Sequence, residues 1–371
     1  MTIAARDIAA RPGPAEPPRI AVYAPMKPPD DPVPSGDREI ARLTMAALAA
    51  AGFAPELVSR LKLRDGEGSA AAQARLVRAA EAEADRLAAA LAPAPPAAWL
   101  TYHCYWKAPD LLGPAVADRL GIPYAITEPS ISPKRRTGPW AGFAARAEAA
   151  IARADRLFWS TARDRTALEM AGHGGAMVHL PPFLEAGPPV APRPARPRLR
   201  LLTVAMMRPG DKLESYRRLA AGLAHLAGDW QLRIVGTGPA ADAVGALFAP
   251  LAARVRWLGP VADPLRLRAE YAAADLLLWP GVAEGVGMAW LEAQSAGLPV
   301  VAEDGPAARA CVAAPLAPPD DAPAYAAAIA AAAAGREALS AAARARIEAR
   351  HSLEAAARLL GAELGALIAR R

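Results

Sequence analysis

The chain has 371 residues, of which 53% are hydrophobic and 22% are charged, a balance that excludes a disordered, low-complexity chain. This length exceeds the size at which one hydrophobic core usually stops growing, so we expect two domains. The 43 basic and 37 acidic residues give a formal net charge of +6, which suits an anionic partner without identifying one.

The N-terminal half alternates short apolar runs with helix-length segments. Residues 1–18 are rich in Ala, Pro and Arg and have no continuous apolar stretch, so we predict a disordered tail rather than a signal peptide. A helix is predicted over residues 37–51, ending at Gly52. Together with the strands this pattern is typical of parallel βαβ units, and it predicts one open α/β domain over residues 19–180. The predicted strands are residues 20–24, 56–58, 97–102, 124–127, 156–159 and 177–180.

Lys134, Arg135 and Arg136 form the densest cluster of cations in the sequence. No aromatic residues alternate with them, as they would in a surface that stacks the bases of single-stranded nucleic acid. We interpret the cluster as a solvated loop and expect no nucleic-acid partner.

Residues 181–198 are too rich in proline for a helix or a central strand and predict a semi-rigid linker. Beyond them the alternation restarts and predicts a second α/β domain over residues 199–350, followed by a C-terminal helix over 351–371 that returns to the first domain. Two consecutive doubly wound domains place their ligand crevices opposite each other, at the carboxyl ends of the strands. The predicted strands are 201–206, 232–235, 255–258, 276–279 and 300–302, and the predicted helices are 214–227, 240–252, 264–273 and 286–296.

The segment 276–302 is the most informative, because it predicts a strand, a glycine-rich loop, a helix and a second strand. Glycines in the loop let backbone approach a ligand, and the helix beginning near Val286 directs unpaired N–H groups toward the loop, which favours an anion. Glu284 in the loop and Glu292 in the helix flank this anion site. Two such carboxylates suit the uncharged ends of a phosphate-linked ligand, such as sugar and ribose hydroxyls. The alternative is that both are solvated residues.

A family resemblance is carried by the stretches EGVG (284–287), LEA (291–293) and GLPVV (297–301). This region resembles the Glu-x7-Glu signature of retaining GT-B glycosyltransferases, the group 1 or family 4-like glycosyltransferases. Val286 stands where that family usually has Phe. The resemblance implies the GT-B fold, with two Rossmann-like doubly wound domains facing each other across a cleft. It also implies a retaining hexosyltransferase that moves a sugar from a nucleoside-diphosphate sugar to an acceptor.

Upstream segments of the second half are similar to the family in order and spacing. Residues 204–212 resemble the segment in which an Arg and a Lys bind the donor diphosphate, roles that fall to Arg208 and Lys212, although their spacing is one residue shorter than usual. Gly236 and Gly238 resemble the family's Gly-x-Gly turn beside the nucleotide, and a plain structural turn is the alternative. The donor-binding residues implied by the resemblance are Gly36, Arg208, Lys212, Gly236, Gly238, Glu284, Gly285, Val286, Gly287, Met288 and Glu292.

The first half supplies weaker matches. Gly36 follows the first predicted strand, where the family has a Gly-rich loop near the donor phosphate. His103 ends the third predicted strand, where many relatives have a histidine near the reactive end of the sugar, and a structural histidine is an equal alternative. Glu128, at the end of the fourth predicted strand, is a candidate acceptor-site residue. The catalytic residues implied are His103, Lys212 and Glu284.

We predict neither a metal nor a cofactor, with the nucleotide sugar as co-substrate, because the cleft-forming loops contain no Asp-x-Asp pair. The remaining alternative is a catalytically inactive nucleotide-sugar-binding module of the same fold that acts as a partner protein. A nicotinamide-dependent dehydrogenase is set aside, because no G-x-G-x-x-G follows the first strand.

Cys104 and Cys311 lie far apart without a CxxC motif, which indicates a reducing compartment. No uninterrupted apolar stretch reaches the roughly 20 residues that cross a bilayer. We therefore expect a cytoplasmic, bacterial enzyme, and the sequence leaves open whether it touches the inner face of the cytoplasmic membrane. The acceptor, whether saccharide, lipid or small molecule, is not identified by the sequence.

Overall fold

The computed structural model describes residues 16–33, 35–187 and 197–370, so most of the predicted N-terminal tail and residues 188–196 of the predicted linker lie outside the described residues. The first domain is a parallel sheet with the strand order β2-β1-β3-β4-β5-β6, covered by helices. Its strands are β1 (Arg19–Tyr23), β2 (Ala54–Ser59), β3 (Ala98–Tyr102), β4 (Tyr124–Thr127), β5 (Arg156–Trp159) and β6 (Met177–His179). Its helices are α1 (Gly36–Ala50), α2 (Ala70–Leu91), α3 (Gly113–Leu120), α4 (Ala141–Arg153) and α5 (Ala162–Met170).

The second domain is a parallel sheet with the order β11-β10-β7-β8-β9. Its strands are β7 (Leu199–Val204), β8 (Trp230–Val235), β9 (Val255–Gly259), β10 (Leu276–Leu278) and β11 (Val300–Val301). The helices of this half are α6 (Asp211–Ala224), α7 (Ala241–Phe248), α8 (Pro264–Ala273), α9 (Met288–Ser295), α10 (Pro306–Cys311), α11 (Ala322–Ala334) and α12 (Arg336–Arg346), and α13 (Leu353–Ala369) follows a π-helical turn.

The last helix, α13, completes the core of the first domain. Leu360 and Leu364 of α13 are fully buried against one face of the first sheet, in the same apolar cluster as Leu43 and Leu48 of α1 and Ile20 of β1. Strands buried on both faces have near-continuous apolar sequences, which is why the apolar runs located them. The fold is therefore two doubly wound domains whose chain returns to the first domain at its end.

The chain crosses between the domains twice, and the two crossings pair with each other. The N–H of Leu184 donates to the carbonyl of His351 at 2.9 Å, and the N–H of Leu353 donates to the carbonyl of Leu184 at 2.9 Å. Nδ1 of His351 lies 2.7 Å from the carbonyl oxygen of Pro182. Burial lowers the pKa of His351, which disfavours its protonated form at the crossing.

Several predicted helix ends differ from the structure for local reasons. The helix predicted over 240–252 ends at Phe248 and continues as a 3-10 helix that contains Pro250, because proline cannot donate the next helical hydrogen bond. The helix predicted from Val286 begins at Met288, because Gly287 before it has a φ of +69°. In the part of the chain that the structure describes, no helix is both long enough and apolar enough to span a membrane.

Candidate functional site

The loop between β10 and α9 is built around one buried indole. Gly281 and Gly287 have φ values of +80° and +69°, and a Cβ added to either would lie 2.2 Å from the ring of Trp290. Trp290 is fully buried, and its Nε1 donates to the carbonyl of Trp279 at 3.3 Å. Both glycines are therefore required by backbone conformation and by space. The ring fixes the shape of the loop that contains Glu284.

Glu284 forms an ion pair with Lys212, the second residue of α6. Lys212 Nζ donates to Glu284 Oε2 at 2.6 Å, and Nε1 of Trp279 donates to the same oxygen at 3.0 Å. The Lys212 ammonium also lies 5.2 Å from the centroid of the Trp279 ring. The side chains of Glu284 and Lys212 are 16% and 29% exposed, so the pair remains accessible to a ligand. Two of the predicted site residues, 72 positions apart, are thus in direct contact.

Glu292 is half-buried on α9 and is held by a neighbouring helix. Tyr271 Oη of α8 donates to Glu292 Oε2 at 2.7 Å. Burial raises the pKa of Glu292, and the hydrogen bond from Tyr271 opposes part of that rise. Glu292 is therefore a positioned carboxyl group. The sequence did not identify Tyr271 as its partner.

The predicted diphosphate-binding segment and the predicted Gly-x-Gly turn lie side by side, after β7 and after β8. A Cβ on Gly236 would lie 1.9 Å from the carbonyl oxygen of Ala205, and a Cβ on Gly238 would lie 2.3 Å from that of Met207. Both glycines are thus explained by close packing of backbone on the loop after β7. Arg208 in that loop is exposed, whereas Met207 before it is buried.

On the first domain, His103 follows β3 and pairs with a residue of α1. Its Nδ1 lies 3.5 Å from Asp37 Oδ1, and its ring centroid lies 4.6 Å from that of Tyr105. Burial lowers the pKa of His103, but the carboxylates of Asp37 and Glu128 raise it by more, so its pKa lies above the ordinary histidine value. Asp37 was missed as a site residue, although its place one residue after Gly36 puts it in the first turn of α1.

Glu128 follows β4, the strand next to β3. Tyr102 Oη lies 3.4 Å from its Oε2, and burial raises the pKa of Glu128 despite the opposing charge of His103. His103 and Glu128 have φ values of +60° and +51°, which are rare for residues other than glycine and common at functional sites. Gly36 begins α1 beside Asp37, and nothing lies within 4 Å of a Cβ built on it, so packing does not require a glycine there.

A cleft of about 650 Å³ separates the two domains. Glu284 and Gly285 line it from the second domain, and the end of β5 lines it from the first. There the rings of Trp159 and His179 stack with centroids 3.9 Å apart, a contact that the sequence did not predict. Burial lowers the pKa of His179 to about 4, so this imidazole is neutral. Met288 and Glu128 line one smaller gap between the domains, so α9 begins next to the first domain.

Among the described residues, no group of three or more His, Cys, Asp or Glu side chains is arranged to hold a metal ion. Lys212 provides a positive charge beside Glu284, and α9 begins four residues after Glu284.

The chain resembles known proteins in sequence over part of its second half and in fold over most of its length. Residues 198–334 match the family model of glycosyl transferases group 1. No curated protein is matched by the sequence. Similar solved structures include sucrose-phosphate synthase from Thermosynechococcus elongatus, with 21% identity, a TM-score of 0.68 and coverage of 95% of this chain and 100% of that one.

Two further structures are similar over comparable lengths. The lipopolysaccharide outer core galactosyltransferase WaaB in its apo form is 17% identical, with a TM-score of 0.65 and coverage of 93% of this chain and 99% of that one. HepE from Anabaena in complex with UDP-glucose is 16% identical, with a TM-score of 0.63 and coverage of 94% and 100%. These likenesses confirm the predicted α/β fold of GT-B type, with two parallel-sheet, Rossmann-like domains.

Proposed function

We propose that this chain is a retaining glycosyltransferase that moves a sugar from a nucleoside-diphosphate sugar to an acceptor bound by the first domain. The observation that carries the proposal is the Lys212–Glu284 pair, held on a rigid glycine loop at the cleft between the domains. Both residues lie within the segment 198–334 that matches the family model.

In the proposed mechanism, the donor diphosphate lies against Lys212, Arg208 and the N–H groups of Val286 to Met288. Negative charge develops on the phosphate oxygens as the nucleoside diphosphate leaves. Positive groups fixed at that place stabilise the transition state more than the ground state, which is the electrostatic contribution that usually dominates catalysis. A preformed loop adds to this effect, because it does not have to reorganise during the reaction.

Glu284 and Lys212 exchange partners when the donor binds. Without a ligand, each neutralises the other at 2.6 Å. With the donor bound, Lys212 contacts phosphate and Glu284 accepts hydrogen bonds from sugar hydroxyls. Each charge therefore gains a new partner, which offsets the loss of the ion pair.

Glu292 is assigned to the ribose. Tyr271 already holds Oε2 of this carboxylate, which leaves Oε1 to accept from ribose hydroxyls. The half-buried position strengthens such hydrogen bonds, because the surroundings have a lower dielectric than water.

His103 and Glu128 are assigned to the sugar and acceptor side. His103, whose pKa is raised by its carboxylate neighbours, is a hydrogen-bond donor near the reacting end of the sugar. Glu128 is assigned to an acceptor hydroxyl. We expect no metal ion in the reaction, because Lys212, Arg208 and the amides at the start of α9 are the groups proposed to neutralise the diphosphate.

A screen of nucleotide sugars tests the proposal. The melting temperature of the full chain is measured with UDP-, GDP- and ADP-sugars, starting with UDP-glucose because HepE binds it. A ligand that binds only the folded state raises the melting temperature by mass action. We expect one nucleotide class to do so and to be turned over. Stabilisation without turnover of any sugar nucleotide would favour the inactive binding module, and no stabilisation by any nucleotide would refute the proposal.

A further inference from the structure

We propose that a cluster of aromatic and basic side chains on the first domain binds an anionic group, a phosphate or a carboxylate, on the acceptor. The aromatic–basic cluster consists of Tyr105, Trp106, Lys107, Arg135 and Trp140. The inference rests on the proposed function, because it assumes that the bound anion belongs to the acceptor of sugar transfer.

Two indole rings and two cations form the centre of the cluster. The rings of Trp106 and Trp140 meet edge to face, with centroids 5.1 Å apart. The Arg135 guanidinium lies 4.2 Å from the Trp106 centroid and 5.2 Å from the Trp140 centroid. The Lys107 ammonium lies 4.9 Å and 5.7 Å from the same two centroids. Each cation therefore interacts with both rings, within the range of cation–π attraction.

This arrangement corrects the interpretation of residues 134–136 as a solvated loop without an aromatic platform. The two indole rings belong to Trp106 and Trp140, outside the basic run. Of residues 134–136, only Arg135 lies over these rings. Lys134 beside it is exposed, and Arg136 forms an ion pair with Glu148 at 3.0 Å. Only the middle residue of the basic run thus belongs to the cluster.

The two cations have no carboxylate partner within the described part of the chain, where neither Lys107 nor Arg135 takes part in an ion pair. Both nevertheless lie within 5 Å of the Trp106 centroid. Like charges held close together repel, and a shared anion removes that repulsion while accepting hydrogen bonds from both groups. The ring contacts fix the cations in place and leave their charges uncompensated.

The loops that form the cluster are fastened to one another through Asp65. Its N–H donates to the carbonyl of Lys107 at 2.8 Å, and its carbonyl accepts from Nε1 of Trp140 at 3.3 Å. Its carboxylate, on a residue only 5% exposed, accepts from Nε2 of Gln73 at 2.8 Å, and that nitrogen also donates to the carbonyl of Pro139 at 3.0 Å. The cluster is therefore preorganised, which lowers the entropy cost of binding.

The cluster begins beside the proposed reaction centre. The Tyr105 ring lies 4.6 Å from the His103 ring and 6.0 Å from the Trp106 ring, so the aromatic side chains form a row leading away from His103. Because Arg135 and Lys107 already lie over the indoles, the cluster favours an anion over an uncharged sugar ring. An acceptor anion bound there places the rest of the acceptor along the row toward His103.

Calorimetric titration of the full chain at low salt tests the inference. The probes are glucose 6-phosphate, glucose, and vesicles of phosphatidylglycerol or of phosphatidylcholine. We expect Arg135→Gln and Lys107→Gln each to weaken binding of the anionic probe by about tenfold, the scale of one hydrogen bond to a charged group. Lys134→Gln is the matched control, because it removes the neighbouring charge without touching the cluster. It should leave affinity unchanged.

The two anionic probes distinguish a soluble from a lipid source of the anion. Binding of glucose 6-phosphate that depends on Arg135 indicates a soluble phosphorylated saccharide, and binding only to phosphatidylglycerol vesicles with the same dependence indicates a lipid headgroup. Arg135→Lys keeps the charge but loses the planar stacking, so an intermediate affinity is expected. Arg135→Lys also replaces Arg135→Gln in the test if the melting curve of Arg135→Gln shows that this variant is not folded.

The inference is overturned if wild-type protein binds neither anionic probe, or if Lys134→Gln weakens binding as much as Arg135→Gln. UDP affinity is measured on every variant and should not change, because the cluster lies on the first domain. Intact turnover of a nucleotide sugar without anion binding refutes this inference alone. Anion binding at the cluster without any nucleotide-sugar binding refutes the proposed function alone.

Discussion

The ligand-binding surfaces proposed for the two domains, called here the first wall and the second wall, are built in opposite ways. On the second domain the two glutamates already have partners, with Glu284 bonded to Lys212 and Glu292 to Tyr271. On the first domain, Lys107 and Arg135 lie on aromatic rings without a carboxylate partner among the described residues. The second wall must exchange internal contacts for ligand contacts, and the first wall offers cations that no carboxylate in the described chain neutralises.

This difference implies different selectivity on the two sides. A ligand that breaks the Lys212–Glu284 ion pair binds well only if it gives both charges a new partner. A nucleotide sugar does so, through its phosphates for Lys212 and its hydroxyls for Glu284. Uncompensated cations accept any anion of suitable size, so specificity on the first domain must come from the shape of the row between His103 and Trp140.

The largest effect on the second wall is expected from Lys212→Ala. If Lys212 stabilises the leaving diphosphate, its removal should lower the initial rate of sugar transfer by about a hundredfold or more, the effect of losing one preorganised donor. Rates are measured at saturating donor, with Lys134→Ala as a lysine control outside the site. A wild-type rate in Lys212→Ala would make the Lys212–Glu284 pair a structural contact.

The two glutamates test the division of labour within the second wall. Glu292→Gln should weaken both free nucleoside diphosphate and the intact donor by roughly ten- to a hundredfold, the scale of hydrogen bonds to a charged group. Glu284→Gln should spare the free diphosphate and weaken only the sugar-dependent part of donor affinity. Both variants are titrated calorimetrically with UDP and UDP-glucose. Identical behaviour of the two variants would contradict the assignment of Glu292 to the ribose and Glu284 to the sugar.

Asp37→Asn tests the electrostatics of the first wall. Because Asp37 raises the pKa of His103, the variant should titrate His103 at lower pH, as followed by the imidazole NMR signal. The pair stabilises the fold below the ordinary pKa of histidine, near 6.5, and this contribution is lost as pH rises through the higher folded pKa. The stability difference between wild type and variant should be about 1 kcal/mol or less. An unchanged His103 titration would remove Asp37 from the site.

The smallest expected effect is that of a chelator. If the cations and amides of the second wall neutralise the diphosphate, excess EDTA should leave the transfer rate unchanged. A rate that falls in EDTA and recovers with Mg²⁺ or Mn²⁺ would show that the second wall needs a metal ion after all.

The sequence located the fold well because parallel strands are buried on both faces. The fourth and fifth predicted strands match β4 and β5 residue for residue. Helix ends were less accurate where backbone conformation decides them. Pro250 follows the early end of α7, and Gly287 delays the start of α9.

The site was predictable only where its residues are close in sequence or part of a motif. Glu284 and Glu292 follow from one loop and helix, and their proposed roles stay predictions. The roles of Tyr271, Asp37 and the aromatic–basic cluster were missed, because their contacts join elements that are distant in sequence. Trp106 and Arg135, for example, come from different strand ends.

The position of α13 determines the order in which the two domains can complete their folding. Leu43 and Leu48 of α1 are made early in synthesis, yet they pack with Leu360 and Leu364 at the far end of the sequence. While the ribosome is still translating, the part of this apolar cluster that α13 covers is exposed, and exposed apolar surface promotes aggregation. The domain that is synthesised first is therefore completed last, after the second domain has emerged between its two parts.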